Sequence, residues 1–219
     1  MSFTTIPTPT GAVSSLLDGP ADADAVVLLG HGAGAGMRSD FMETVAVGLG
    51  ERGLRTARFN FPYVEAGRKA PDRAPVLEAT FAAAAAHIAE AHPRARLFFG
   101  GKSLGGRIAS QVVASGAASC DGLVFLGYPL HPPGRPDRLR TEHLADIKVP
   151  MLFVEGTRDP FCPLDRLEEV RAGLGAETEV AVIDDGDHSF KVRRASGRDT
   201  AEAWAEVVDV VAAWVAAHA

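Results

Sequence analysis

The sequence is poor in cysteine: Cys120 and Cys162 are the only two in 219 residues. Usage this low argues against a disulfide-stapled scaffold and fits a reducing compartment. It also lacks a long basic run. Its 22 Lys and Arg are outnumbered by 28 Asp and Glu, and a net charge of -6 argues against a general nucleic-acid binder. No apolar run is long enough to cross a bilayer. The alanine-rich stretch Phe81 to Ala86 is short and leads into His87 and Glu90, so it reads as part of a helix. The first ten residues, M-S-F-T-T-I-P-T-P-T, lack the basic-then-apolar order of a secretory signal. These absences predict a cytoplasmic protein with neither nucleic acid nor membrane as partner. Internal repeats and an interdomain linker are also missing. The length suits one domain, residues 1–219, and is short for two. With 47% hydrophobic and 23% charged residues, the composition is that of a soluble globular chain.

What is present is a near-regular alternation of strand and helix patterns, which points to α/β with a mainly parallel sheet. Ser2–Ile6 and Ala12–Leu17 read as an antiparallel pair at a sheet edge. Strands follow at Ala25–Leu29, Leu54–Phe59, Leu97–Gly100, Gly122–Leu126, Met151–Val154 and Glu179–Ile183. Helices are expected at Asp40–Glu51, Arg73–Ala91, Leu104–Ser115, Leu164–Gly173 and Asp199–Ala217. Ser39 is placed to cap the first helix and Gly53 to stop it. In the last helix Trp204, Val207, Val208, Val211 and Trp214 recur at helical spacing and read as core.

The chain is organised around R-L-F-F-G-G-K-S-L-G-G-R-I-A-S, Arg96 to Ser110. A buried strand leads into G-K-S-L-G, and a helix follows. A serine with glycine two residues away on each side fits a sharp strand-to-helix turn, where the backbone folds close to its neighbours. The G-K-S end of a phosphate-binding loop is the rival reading. That loop requires glycine five positions before Gly101, where Arg96 stands. An ordinary glycine-rich turn is the other rival. The G-x-S-x-G pattern resembles the nucleophile elbow of the α/β-hydrolase superfamily, which makes Ser103 the expected nucleophile.

That resemblance implies an acid and then a histidine further along the chain. His188, in I-D-D-G-D-H-S-F after the last strand, is the expected base. His87, His92, His143 and His218 fall on helices or helix ends and are expected in solvent, and His131 is a second choice. Asp159, in V-E-G-T-R-D-P-F after the strand Met151–Val154, is the expected acid; it would fix the imidazole tautomer and stabilise the imidazolium. Asp184, Asp185 and Asp187 are the alternatives. Two N–H donors are needed for the oxyanion. Leu104 follows the nucleophile at a helix N-terminus, where the dipole favours negative charge. L-L-G-H-G-A-G-A-G-M, Leu28 to Met37, looks like the superfamily's H-G-x loop, which places the second donor at Ala33 and makes His31 a loop holder. The same loop satisfies the dinucleotide fingerprint G-x-G-x-x-A. The acid expected about twenty residues on is missing from L-R-T-A-R-F-N, although arginine there could accept a 2′-phosphate.

Three further stretches, G-H-G-A-G-A-G-M, F-N-F-P-Y and G-Y-P-L-H-P-P-G-R-P-D-R-L-R, narrow the resemblance. They look like a small lidless branch near the dienelactone hydrolases, which also holds a testis-expressed vertebrate protein and a subunit of a chromatin-acetylating complex. Dienelactone hydrolases use a cysteine where this chain has Ser103, so their substrate does not carry over. The absence of an interaction tail sets the chromatin link aside. The connection from Leu126 to Asp146, where many hydrolases insert a lid, is short and proline-rich. Site walls are expected at Asn60, Phe61 and Tyr63, at Tyr128 to Leu130, and at Phe161 and Cys162. Loop packing competes for the same aromatics, Phe61 above all. Lys102 either favours an anionic substrate or solvates the elbow. The resemblance thus implies a serine hydrolase of small esters or thioesters, acting as monomer or homodimer without cofactor or metal. The alternative is a binding protein that keeps the fold without using catalysis.

Overall fold

The computed structural model describes residues 1–219. One eight-stranded sheet runs through it. The edge is a hairpin of β1 (Ser2–Ile6) and β2 (Val13–Asp18), antiparallel, with Ser2 opposite Leu17. β2 also pairs antiparallel with β4 (Arg55–Phe59). The other strands are parallel: β3 (Ala25–Gly30), β5 (Arg96–Lys102), β6 (Gly122–Leu126), β7 (Met151–Gly156) and β8 (Thr178–Ile183). Across the sheet the order is β1-β2-β4-β3-β5-β6-β7-β8. Parallel strands send all their C-terminal ends to one rim, which is where such sheets gather ligands.

The central strands are apolar on both faces, as strands covered from both sides must be. Alternation divides their side chains between two cores. Val26, Leu28, Phe99 and Phe125 face α3 (Ala74–Ala91), α4 (Leu104–Ala114) and α5 (Leu164–Arg171). Val27, Leu29, Phe98 and Val124 face α1 (Asp40–Glu51) and α6 (Thr200–His218). On α6 the stripe Val207, Val208, Val211 and Trp214 is buried as its spacing predicts. Trp204 is only half-buried.

Element bounds fall within a residue or two of the sequence reading. The single-turn helix α2 (Pro62–Glu65) and the 3₁₀ turns Glu142–Asp146 and Arg194–Ser196 were not expected. Such short pieces carry no hydrophobic period to read. Ser39 stands at the α1 N-cap, but its side chain makes no capping bond. α6 is the helix with a full capping box: Glu202 N–H donates to Asp199 Oδ1 at 2.9 Å, and Asp199 N–H donates to Glu202 Oε2 at 2.7 Å. No helix is long and apolar enough to cross a membrane. Between β6 and the turn at Glu142 the chain is irregular, with no helical lid.

Candidate active site

Ser103 sits where β5 gives way to α4, with φ 49° and ψ −106°. A non-glycine residue at positive φ is strained, and strain of this kind gathers at functional sites. The glycines around it are demanded by close packing. A Cβ on Gly101 would lie 2.1 Å from the Gly30 carbonyl oxygen, and one on Gly105 would lie 2.0 Å from the same atom. The C-terminal end of β3 therefore touches the elbow, backbone to backbone.

His188 arrives from the loop after β8. Its Nε2 is 2.9 Å from Ser103 Oγ, and its Nδ1 is 2.6 Å from Asp159 Oδ2. A carboxylate only accepts, so Nδ1–H donates to Asp159 and Nε2 is left to accept from the serine hydroxyl. Asp159 follows β7; its side chain is fully buried, and its Oδ1 accepts from Phe161 N–H at 2.8 Å. Phe161 closes edge-on over the imidazole, with ring centroids 4.7 Å apart. The three side chains expected from the sequence are thus brought together at the rim.

The alternative acids serve the loop. Asp187 Oδ1 accepts from Ser189 and Lys191 N–H. Asp185 is bonded to Arg193 and Arg158, which hold its carboxyl down at about 2, with the Arg193 hydrogen bond the largest cause. Asp184 is exposed. The acid turn and the histidine loop are pressed together, since a Cβ on Gly156 would meet the Gly186 carbonyl oxygen at 2.2 Å.

Ala33 and Leu104 both line the cavity beside Ser103, and neither N–H donates to a backbone acceptor. His31 is fully buried behind that loop. Its Nε2 accepts from Phe61 N–H at 3.1 Å, which leaves the proton on Nδ1 to be donated to Gly32 O at 2.9 Å. Burial pushes its pKa down, consistent with this neutral tautomer. His31 fastens the loop and has no path to the reacting atoms.

The cavity has a volume of about 550 Å³. Of the expected wall residues, Phe161 and Pro129 line it. Phe61, Tyr63, Tyr128 and Leu130 do not; all are fully buried, and Cys162 lies buried with them. Phe61 and Tyr63 pack edge-on against His31 beneath the loop carrying Ala33, while Tyr128 packs against Phe125 and Phe153. Asn60 is a brace: its Oδ1 accepts from Met37 N–H at 2.9 Å and its Nδ2 donates to Glu65 Oε1 at 3.1 Å. Loop packing wins for these residues because an aromatic just past a buried strand is drawn into the core below it. The opposite wall comes from Phe41, Met42 and Trp204, with Trp204 edge-on to Phe41 at 5.4 Å. Core periodicity hid all three.

One other expectation is corrected, and one of two alternatives is removed. His143 is not in solvent: its Nε2 lies 2.8 Å from Ser110 Oγ, and burial, then Arg107, lowers its pKa to about 4. Lys102 does not solvate the elbow. Its Nζ is buried with no hydrogen-bond partner, in the space left by Gly127, close to His188. Burial lowers its pKa to about 8, opposed by Asp159, Glu155 and Asp187.

The dinucleotide reading fails on geometry. Nine residues separate Gly30 from Asp40, the first residue of α1, so the glycines do not open a helix. Arg58 is fully buried; its Nη2 donates to Asp18 Oδ2 at 3.1 Å and its Nη1 to Met37 O at 2.7 Å. Arg55 Nη1 donates to Gly19 O. The Arg58 guanidinium is therefore not free for a 2′-phosphate, and Arg55 stands at the N-terminal end of β4, away from the cavity rim.

Comparison with known proteins agrees with this fold. A family model described as an alpha/beta hydrolase domain matches residues 23–216. An alpha-beta serine hydrolase homologue from Coxiella burnetii superposes with a TM-score of 0.76 at 20% identity, covering 95% of this chain and 96% of its own. A dienelactone hydrolase from Anabaena variabilis gives 0.79 at 19% identity, with 99% and 97% covered. A serine hydrolase without lid from Xanthomonas campestris gives 0.73 at 19% identity, with 97% and 94% covered. At these identities the structural neighbours speak for the fold, and the family match speaks for membership: the chain belongs to the alpha/beta hydrolase domain family.

Proposed function

We propose that the protein is a serine hydrolase that cleaves small carboxylic esters or thioesters through an acyl-enzyme. The observation that carries this reading is the unbroken chain from Ser103 Oγ through His188 to Asp159, with links of 2.9 and 2.6 Å. Ser103 attacks the carbonyl carbon while His188 Nε2 takes the hydroxyl proton. Asp159 holds the imidazole in the required tautomer and stabilises the imidazolium. The carbonyl oxygen, now negative, is received by the N–H groups of Ala33 and Leu104. Each such donor contributes roughly a hundred- to a thousandfold in turnover. His188 then gives its proton to the leaving alcohol or thiol, and the bond to it breaks. Water activated by the same imidazole releases the acid and restores Ser103.

The reading needs no metal or cofactor, and it treats the protein as a cytoplasmic monomer or homodimer acting on a small molecule. Placement in a lidless branch near the dienelactone hydrolases is part of the proposal, supported by the short proline-rich connection after β6 and by the neighbour of that name. A fluorophosphonate should label Ser103, and Ser103→Ala should abolish cleavage of 4-nitrophenyl acetate and of an acetyl thioester. Undiminished cleavage by that variant would falsify the nucleophile assignment. Absence of both labelling and turnover in the wild type would favour the binding protein.

A further inference from the structure

The wall of the cavity on the α4 side carries two guanidiniums with no counter-ion. Arg107 lies one turn into α4, its N–H donating to the Ser103 carbonyl at 3.1 Å, and its side chain lines the cavity. Its Nη1 reaches Gln111 Oε1 at 3.0 Å, while its Nε is buried with no acceptor. Arg140 lines the same cavity from the end of the proline-rich connection. Its backbone is fixed on both sides: its N–H donates to Leu130 O at 2.7 Å, and its carbonyl accepts from Tyr128 Oη at 3.2 Å. That anchoring aims a side chain that itself makes no hydrogen bond or ion pair. Many arginines elsewhere, such as Arg58, Arg158 and Arg193, face a carboxylate, and others that face none, among them Arg38, Arg73 and Arg135, lie outside the cavity lining.

Two half-buried like charges held near one another are unfavourable unless something supplies the opposite charge. Arg140 is pulled below its usual range by burial first and by Arg107 next. Among the residues lining the cavity the sole carboxylate is Asp40, which belongs to the opposite, α1 side with Phe41 and Met42. A planar guanidinium grips a carboxylate or phosphate with two parallel hydrogen bonds, and a pair of them can share one such group.

We propose that Arg107 and Arg140 form an anion subsite, and that the natural ester or thioester bears a carboxylate or phosphate on one arm and an apolar group on the other. This rests on the hydrolase reading for the word ester, but not for the anion. Half-esters of dicarboxylic acids and esters of hydroxybenzoic-type or phosphorylated alcohols belong to this class. Neutral alkyl esters do not.

The test compares isosteric pairs that differ in charge alone. 4-Acetoxybenzoate against 4-acetoxybenzamide places the anion on the alcohol arm. Mono-4-nitrophenyl adipate against its terminal amide places it on the acyl arm, and 4-acetoxyphenyl phosphate against 4-acetoxyphenyl methyl sulfone separates phosphate from carboxylate. At least one charged member should exceed its neutral twin tenfold or more in kcat/KM, through KM. That ratio should collapse toward one in Arg140→Gln and Arg107→Gln, survive in part in Arg140→Lys, and shrink with added salt. Thermal melting checks that the variants fold. A ratio of one or below for every pair in the wild type overturns the proposal, and so does a ratio unchanged in a folded Arg140→Gln. Calorimetry with adipate, 4-hydroxybenzoate and phenyl phosphate separates the two readings. Binding that is lost in Arg140→Gln, without turnover of any ester, upholds the subsite and removes the hydrolase. Turnover without charge preference does the reverse.

Discussion

In the proposed mechanism Asp159 orients the base without touching substrate. Its carboxylate is fully buried and spends one oxygen on His188 and the other on Phe161 N–H. Asparagine keeps the shape but presents an N–H to one of these partners, so the imidazole is held in the wrong tautomer. Asp159→Asn should lower kcat by about four orders of magnitude with KM little changed, measured on 4-nitrophenyl acetate, while the melting temperature stays near wild type. A near-normal rate would move the orienting acid elsewhere in the loop. Ser103, Asp159 and His188 were legible in the sequence because each follows a readable strand and carries its own turn residues. The wall was not. Phe61, Tyr63 and Tyr128 look like site residues to a linear reading, yet depth below the rim is a property of the folded sheet. Phe41, Met42 and Trp204 reach the cavity from helices whose period announces only a core.

At the scale of elements, the outer part of the sheet is tied to the site by a buried ion pair. Arg58 on β4 bonds Asp18 on β2 and the carbonyl of Met37, which belongs to the loop carrying Ala33. Removing one partner strands a charge away from water. Asp18→Ala or Arg58→Met should therefore cost about 3–5 kcal/mol in unfolding free energy by denaturant titration. The double variant Asp18→Leu/Arg58→Met should recover a large part of that loss. A cost below 1 kcal/mol for the single changes would mean water reaches the pair. Strands and long helices were legible here because periodicity and length speak together, as in Asp40–Glu51. The pairing of Arg58 was not, since its partner lies 40 residues away and burial of arginine leaves no local signature.

For the whole molecule, acid stability follows from two groups of opposite kind. His143 is held neutral, at about 4 against 6.5 in an open chain, so the unfolded chain binds the extra proton between those values. Its contribution is full above pH 6.5 and is lost as the pH falls toward 4. Asp185 is held at about 2 against 3.8, so its contribution is present above pH 3.8 and is lost as the pH falls toward 2. Thermal melting should fall in two stages, and His143→Gln should flatten the first while leaving the second. Lys102 acts at the other end. Its fold lowers the ammonium to about 8 from 10.5, so the cost of burying it is relieved as the pH rises through that window. Stability of the wild type measured against that of Lys102→Met should therefore climb from pH 8 to 10.

The meeting of Gly30, Gly101 and Gly105 sets how the protein can be re-engineered. A single methyl at either elbow glycine would collide with the carbonyl of Gly30 and wedge the β3 loop away from the helix that follows Ser103. Ala33 hangs from one side of that junction and Leu104 from the other, so the spacing of the two N–H groups proposed to receive the oxyanion is fixed by atoms that carry no side chains. Libraries aimed at new substrates should hold these three positions constant and diversify Phe41, Met42, Arg107, Arg140 and Trp204, where volume and charge can change without moving the hub.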